Sequence, residues 1–186
     1  SEKINDLIPS NPVDLKTYRD VIGGGWETII GRQFADVGEV EFDVTIEDDR
    51  GAYLLWTGIL NHNDQQEQVP ALFMLPKENW NKRVTLWLTD EGKSGLLDGD
   101  QPIPAVQQLL EQGTAVASCD LFGQGESASE TTGKGDASEQ ATRNWQQYSG
   151  YVHGYNHPLF VRRVHDVLSL LAFVQLHDQN PESIDL

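Results

Sequence analysis

The chain has 186 residues, one cysteine, and 29 Asp and Glu residues against 13 Lys and Arg residues, for a formal net charge of −16. This acidic excess argues against nucleic-acid and anionic-membrane partners, because both are bound mainly through Lys and Arg. The length suits one domain or part of a larger one. Cys119 cannot form a disulfide within the chain, and we interpret it as an inert core residue. These features leave the compartment open.

The first half of the chain predicts a lead-in followed by antiparallel strands. Residues 1–37 contain two prolines and a Gly23-Gly24-Gly25 run, and we expect an extended or short-helical segment. Apolar and polar residues then alternate from Val40 to Glu47, which predicts a strand with one wet face. A polar turn at 48–51 leads into a second strand at 53–60, and the two form a hairpin. A third strand follows at 69–75.

The second half predicts parallel strands connected by helices. Residues 84–88 and 114–119 are short apolar runs typical of strands buried on both faces, and a helix at 103–112 with a glycine stop separates them. A strand, a helix and a strand in so few residues form a parallel crossover unit. We expect a loop or lid at 123–150, a long helix after Pro158, and the opening of another strand at Ile184. The predicted class is α/β, a mostly parallel sheet with an antiparallel N-terminal hairpin.

Several short motifs allow a specific and an ordinary interpretation. Gly123, Gly125 and Ala128 fit the Gly-x-Gly-x-x-Ala spacing of a dinucleotide site, but a tight turn after a strand is favoured because poor helix formers follow. His153 and His157 have zinc-ligand spacing without a third ligand, so loop histidines are favoured. The strand-end acids Asp43, Asp48 and Asp49 lack the pattern of a calcium loop.

The predicted long helix carries charges near its start. Arg162 and Asp166 are four residues apart, which predicts a surface ion pair. The alternative is that these charges tie the helix to the loop at 149–157. The apolar residues Phe160, Val164, Val167, Leu168, Leu171 and Val174 are spaced to lie on one helix face.

Taken together, the segments resemble the N-terminal half of an α/β-hydrolase, nearest the bacterial acetyl xylan esterase-like and prolyl-oligopeptidase-like branch. The resemblance covers roughly residues 38–186. Its most specific element is Asp120-Leu121-Phe122-Gly123-Gln124-Gly125-Glu126-Ser127, where the superfamily has Asp-x-Arg-Gly-x-Gly-x-Ser and this chain has Phe122 in place of Arg. The loop after the strand at 84–88 begins Thr89-Asp90, where the family usually has His-Gly or His-Pro.

The resemblance implies a carboxylic-ester hydrolase, with acetylated carbohydrate as a possible substrate. The chain itself contains no Gly-x-Ser-x-Gly, and in this family the serine, acid and histidine follow the strand that begins near Ile184. We therefore expect no catalytic residue within the chain and no activity from it alone. The family supplies an oxyanion-hole amide from the loop after the strand at 84–88, which implies Glu91 or Gly92. Structural residues near the cleft would be Asp120, Gly123, Gly125, Arg163 and Asp166.

No cofactor or metal is expected. The implied partners are the ester substrate and either the remaining half of the hydrolase domain or a second copy of the chain. The family resemblance favours a periplasmic or secreted location in bacteria. Two other classes remain open: a non-catalytic carbohydrate- or protein-binding module, and a small nucleotide-binding domain. A continuation with Gly-x-Ser-x-Gly soon after Leu186 would favour the esterase, and a native stop codon there would favour the module.

Overall fold

The computed structural model describes residues 8–127, 157–177 and 180–186. The chain divides into two compact units, Ser1–Asp36 and Val37–Leu186. Within the first unit, helix α1 (Pro12–Tyr18) continues through a π-helical turn (Arg19–Gly23) into helix α2 (Gly24–Ile30). The Asn11 side chain accepts hydrogen bonds from the first turn of α1, and Gly31 ends α2 in a left-handed conformation. The described part of the lead-in is therefore largely helical.

The second unit is built around a mixed sheet. Its strands are β1 (Glu41–Asp49), β2 (Tyr53–His62), β3 (Glu67–Pro76), β4 (Arg83–Leu86), β7 (Ala115–Cys119) and β8 (Ser183–Asp185), in the order β1-β2-β3-β7-β4-β8. Strands β5 (Leu97–Asp98) and β6 (Gln101–Pro102) form a small separate hairpin. The α-helices in the described part of this unit are α3 (Pro104–Glu111) and α4 (Leu159–Leu176). None of the helices in the described ranges is long and apolar enough to cross a membrane.

The α/β class and the antiparallel N-terminal hairpin are confirmed, but the sheet is less parallel than predicted. Pairs β1–β2, β2–β3 and β3–β7 are antiparallel, and β4–β7 and β4–β8 are parallel. The difference arises at β3, which lies inside the sheet between β2 and β7. Because it is covered on both faces, its apolar run resembles that of a parallel strand, although both of its pairings are antiparallel.

Within the described residues, one helix packs on each face of the sheet. Helix α4 packs Leu170, Ala172 and Val174 against one face, and α3 packs Val106 and Leu110 against the other. Consecutive residues of the inner strands alternate between these two cores, as Ala117 and Val116 do in β7. Cys119 is buried in the α4-side core, as predicted, and burial raises the pKa of its thiol.

The buried face of α4 differs from the predicted one. Phe160 is 54% exposed, whereas His165, Asp166 and Ser169 are buried. Apolar spacing alone misplaced this face because polar side chains occupy part of the stripe that the helix turns inward. The buried side chains of His165 and Asp166 lie at the edge of the sheet where β3 begins.

The parallel pairing of β4 and β7 fixes the location of the candidate site. Both strands end at the same edge of the sheet, so the segments that follow them, 87–96 and 120–127, meet there. The amide of Asp120 donates to the carbonyl oxygen of Pro70 over 2.8 Å, which places the start of β3 at this edge as well.

Candidate functional site

Asp120 joins the two segments that meet at the carboxyl edge of the sheet. Its side chain is 1% exposed. Its Oδ1 accepts the backbone N–H of Lys93 at 2.8 Å, and its Oδ2 accepts Lys93 Nζ at 2.5 Å and the backbone N–H of Glu126 at 2.9 Å. One carboxylate therefore binds both the main chain and the ammonium group of Lys93. Charge-assisted bonds of this kind are short and directional.

Lys93 lies between two carboxylates. Its Nζ is also 2.7 Å from Glu126 Oε1, but the Glu126 side chain is 68% exposed, whereas that of Lys93 is 10% exposed. The pair with Asp120 is thus buried, and the pair with Glu126 is screened by water and contributes little. The burial of Lys93 was not predicted from the sequence, because a lysine in a polar loop has no pattern that signals burial.

Two glycines lie directly against the Asp120 carboxylate. Gly92 has φ +69° and Gly125 has φ +46°, and a Cβ at either position would meet the carboxylate of Asp120. Glycine is therefore required twice over, for its left-handed backbone and for the space that its missing side chain leaves. Gly123, with φ +81°, begins no helix but lies in the turn closed by the bond from the Gln124 amide to the Leu121 carbonyl oxygen, at 2.8 Å.

The turn at 89–92 contains the positions expected to supply an oxyanion donor. The Glu91 amide donates to Thr89 Oγ1 at 3.2 Å, and the Gly92 amide donates to the Thr89 carbonyl oxygen at 3.2 Å. The Thr89 hydroxyl in turn donates to the Gly92 carbonyl oxygen at 2.7 Å. Both amides are thus used within the turn. The partner of the Glu91 amide is a side-chain oxygen, and the partner of the Gly92 amide is a main-chain oxygen.

Asp166 and Arg163 attach α4 to the same edge. Asp166 Oδ2 accepts the Phe122 amide at 2.7 Å, and Arg163 Nε donates to the Phe122 carbonyl oxygen at 3.1 Å. The Arg162 guanidinium lies 4.6 Å from the centre of the Phe122 ring. Arg163 and Asp166 of α4 therefore hold Phe122 in place. The alternative prediction was a contact between these charges and the loop at 149–157, and residues 149–156 of that loop lie outside the described residues.

Asp166 has an altered pKa because it is buried. Burial raises the pKa of its carboxyl to about 7, and the negative charge of Glu67 acts in the same direction. The Phe122 amide and the charges of Arg162 and Arg163 oppose this rise. Asp166 thus titrates near neutrality, at a position that holds the segment after β7.

Two buried histidines face Glu67 beside this network. His62 Nδ1 is 3.6 Å from Glu67 Oε2, and His165 Nδ1 is 3.7 Å from Glu67 Oε1, distances too long for hydrogen bonds. Across residues 8–127, 157–177 and 180–186, no group of three or more His, Cys, Asp or Glu side chains has the geometry to hold a metal ion. His153 lies outside these ranges, and Asp43 and Asp49 instead bind Asn61 and Lys77.

The glycine turn after β7 is poorly suited to a nucleotide. Gly125–Ser127 form a single 3-10 turn, and the main-chain amides of that turn include one, from Glu126, that already binds the Asp120 carboxylate. A pyrophosphate placed here would meet the negative charges of Asp120 and Glu126. The turn binds a carboxylate from the chain itself, which favours the structural interpretation over a dinucleotide site.

A small apolar cavity lies at the opposite edge of the sheet, with a volume of about 50 Å³. Its lining includes Trp56, Phe73, Trp80, Val84 and Phe173. It is separated from the Asp120 cluster by the length of β4 and β7, so it forms no part of the candidate site.

No protein-family model matches the chain, and no curated protein matches it by sequence. Two solved structures are similar to it. One is a protein assigned as an acetyl xylan esterase from Bacteroides fragilis NCTC 9343, with a TM-score of 0.64 and 13% identity over 91% of this chain and 46% of that chain. The other is acetyl xylan esterase 1 from Thermoanaerobacterium sp. JW/SL YS485, with a TM-score of 0.53 and 13% identity over 85% of this chain and 46% of that chain.

The chain therefore spans about half the length of each solved structure that it matches. At 13% identity the similarity is one of fold. Together with the α/β architecture and the mixed sheet described above, it shows that this chain has an esterase-like fold.

Proposed function

We propose that this chain is a segment of a serine hydrolase that acts on carboxylic esters, with acetylated carbohydrate as a candidate substrate and with the catalytic triad outside residues 1–186. The observation that carries the proposal is the meeting of the segments after β4 and β7 at one edge of the sheet, tied together through Asp120. Ligand sites of open α/β sheets lie at the carboxyl ends of parallel strands. The esterase-like fold and the Asp120–Ser127 motif support the same assignment.

The segment after β4 would contribute to stabilising the transition state. Attack of the serine on the ester carbonyl carbon forms a tetrahedral intermediate, the carbonyl π electrons move to the oxygen, and that oxygen becomes an anion. A fixed amide donor to this oxygen contributes about 10²–10³-fold in kcat. Glu91 is the better candidate of the two predicted donors, because its amide is held only by a side-chain oxygen, which a change in the χ1 angle of Thr89 would withdraw, whereas the Gly92 amide closes the turn through main chain.

The other predicted residues would form the frame behind the cleft. Asp120 and Gly125 hold the segment after β7, Gly123 lets it turn, and Arg163 and Asp166 attach it to α4. None of these residues is proposed to touch substrate. Their contribution is to fix the distance between the two segments that border the cleft.

The test compares the complete gene product with residues 1–186 alone, using p-nitrophenyl acetate and acetylated xylan. The complete protein is expected to release p-nitrophenol and acetate, and residues 1–186 are expected to be silent, because the proposal places the nucleophile and its base outside them. Enzyme-like turnover by residues 1–186, lost on mutation of a serine or histidine within them, would contradict the proposal. A complete gene product that binds carbohydrate or protein without hydrolysing esters would favour the binding-module alternative.

A further inference from the structure

We propose that the buried pair of Lys93 and Asp120 is a positioning device that fixes the 89–92 turn so that the Glu91 amide can serve the oxyanion. This inference rests on the proposed function, because it assigns a role in ester hydrolysis. It concerns two residues that are not expected to touch substrate and that act through the turn between them and β4.

The first step is that Lys93 is attached to Asp120 at two points. Its backbone N–H binds Oδ1 at 2.8 Å and its Nζ binds Oδ2 at 2.5 Å. A lysine held only by its side chain could swing on its flexible stem, but here the peptide unit joining Gly92 to Lys93 is also oriented. The direction of the turn at its downstream end is therefore set by Asp120.

The upstream end of the segment that carries the turn is bound to β7. The Trp87 amide donates to the Ala117 carbonyl oxygen at 2.8 Å, and Ala117 is three residues before Asp120 in and beyond β7. The segment between Trp87 and Lys93 is thus fixed at one end to β7 and at the other end to Asp120, the residue that follows β7. Within it, the Thr89 hydroxyl links Glu91 and Gly92, and a side chain at Gly95 would meet that of Thr89.

A buried ion pair is weak evidence for a stabilising role. Removing two charges from water is costly, and packed apolar residues of similar size often stabilise a fold as well or better. Apolar residues cannot hold the main-chain N–H and the ammonium group of Lys93 in fixed directions, and so they cannot orient the turn that precedes Lys93. In a hydrolase that direction matters, because catalytic donors act in the position where they are held before the reaction.

The experiment uses the complete gene product and a neutral double variant, Lys93→Met with Asp120→Asn. The side-chain oxygen of Asn keeps an acceptor for one of the two main-chain amides, those of Lys93 and Glu126, that bind Asp120, and no unpaired charge is left buried. The matched control is Lys77→Met with Asp49→Asn, which removes a Lys–Asp pair of 2.7 Å whose side chains are 37% and 59% exposed. Steady-state kinetics with p-nitrophenyl acetate and inhibition by phenylboronic acid, which forms a tetrahedral adduct with a serine, are measured for each protein.

The double variant is expected to lose on the order of 10²-fold in kcat, the size of effect that a misplaced catalytic group produces. Its KM should change little, and its affinity for phenylboronic acid should fall in parallel with kcat/KM. The control variant should keep the wild-type constants. A merely structural pair would lower the melting temperature without this separation of kcat from KM.

A folded double variant with wild-type kcat and wild-type inhibition would overturn the inference while leaving the proposed function intact. If the double variant fails to fold, Lys93→Arg decides: it keeps the charge but not the position of Nζ, and a folded protein with reduced kcat and unchanged KM supports positioning, whereas wild-type kcat overturns it. A wild-type protein without esterase activity overturns both proposals.

Discussion

At the scale of single residues, the site depends on how closely the main chain approaches one carboxylate. Gly92 and Gly99 both have positive φ, +69° and +60°. A Cβ at Gly92 would meet Asp120, whereas a Cβ at Gly99 would have no atom within 4 Å. The two positions therefore separate the cost of backbone conformation from the cost of the clash.

Gly99→Ala is expected to lower the free energy of unfolding by about 1 kcal/mol, the cost of a left-handed conformation for a residue with a side chain. Gly92→Ala carries the same cost and also displaces a buried carboxylate, so we expect roughly 2–4 kcal/mol in total. Urea unfolding of the two variants and the wild-type protein measures the difference. Equal losses at both positions would show that the Asp120 carboxylate moves aside without cost.

Asp166 gives the chain a pH dependence with a definite sign. Its pKa is about 7 in the folded protein against an ordinary value of 3.8. The folded state therefore binds the proton more tightly, and the stability that this contributes is present below pH 4 and is lost as the pH rises through 7. Asp166→Asn keeps an acceptor for the Phe122 amide but cannot ionise.

Between pH 4 and pH 7.5, the free energy of unfolding of the wild-type protein should fall relative to that of Asp166→Asn, by a few kcal/mol in all. Chemical denaturation of both proteins across this range measures the relative change. A constant difference between the two proteins would mean that Asp166 titrates at its ordinary pKa despite its burial.

At the scale of secondary-structure elements, sequence patterns predicted the positions of helices and strands along the chain better than they predicted which strands pair in the sheet. Helix α3 and strands β4 and β7 lie close to their predicted ranges, because apolar runs and glycine stops are local signals. The placement of β3 between β2 and β7 was not predictable, because both parallel and antiparallel inner strands are apolar on both faces.

The polar side chains of the site show the same limit. Asp120 and the glycines after it were predicted from a motif, but Lys93 was not, because its burial depends on a partner 27 residues away. The inward face of α4 was also misplaced, since His165 and Ser169 lie on it and break the apolar pattern. Long-range pairing, rather than local propensity, decided each of these cases.

The position of strand β8 predicts that residues 1–186 associate with another chain. Among the strands that the structure describes, β8 lies at one end of the sheet, and it pairs with β4 through Ser183–Asp185. A strand edge without a partner is a template for another chain. We therefore expect residues 1–186 expressed alone to associate with one another or to form a stable complex with the remainder of the gene product. Light scattering after size-exclusion chromatography measures this, and a monodisperse 20.8 kDa monomer with a cooperative thermal transition would contradict it.

At the scale of the whole molecule, the chain combines an esterase-like sheet with a candidate site whose segments are connected by buried polar side chains. The segments after β4 and β7 are tied together through Asp120, and α4 is attached beside them through Asp166 and Arg163. The net charge of −16 disfavours the binding of polyphosphates and anionic surfaces and is compatible with the neutral ester that we propose as substrate. The central proposal is that this frame serves a serine nucleophile located after residue 186.

Labelling with a fluorophosphonate tests that proposal most directly, because the reagent forms a covalent adduct with an activated serine. The complete gene product is labelled, digested and analysed by mass spectrometry to locate the modified residue. We predict one dominant adduct, on a serine that follows residue 186, and loss of p-nitrophenyl acetate hydrolysis in proportion to labelling. An adduct on a serine within residues 1–186, or full hydrolysis without any serine adduct, would contradict the account.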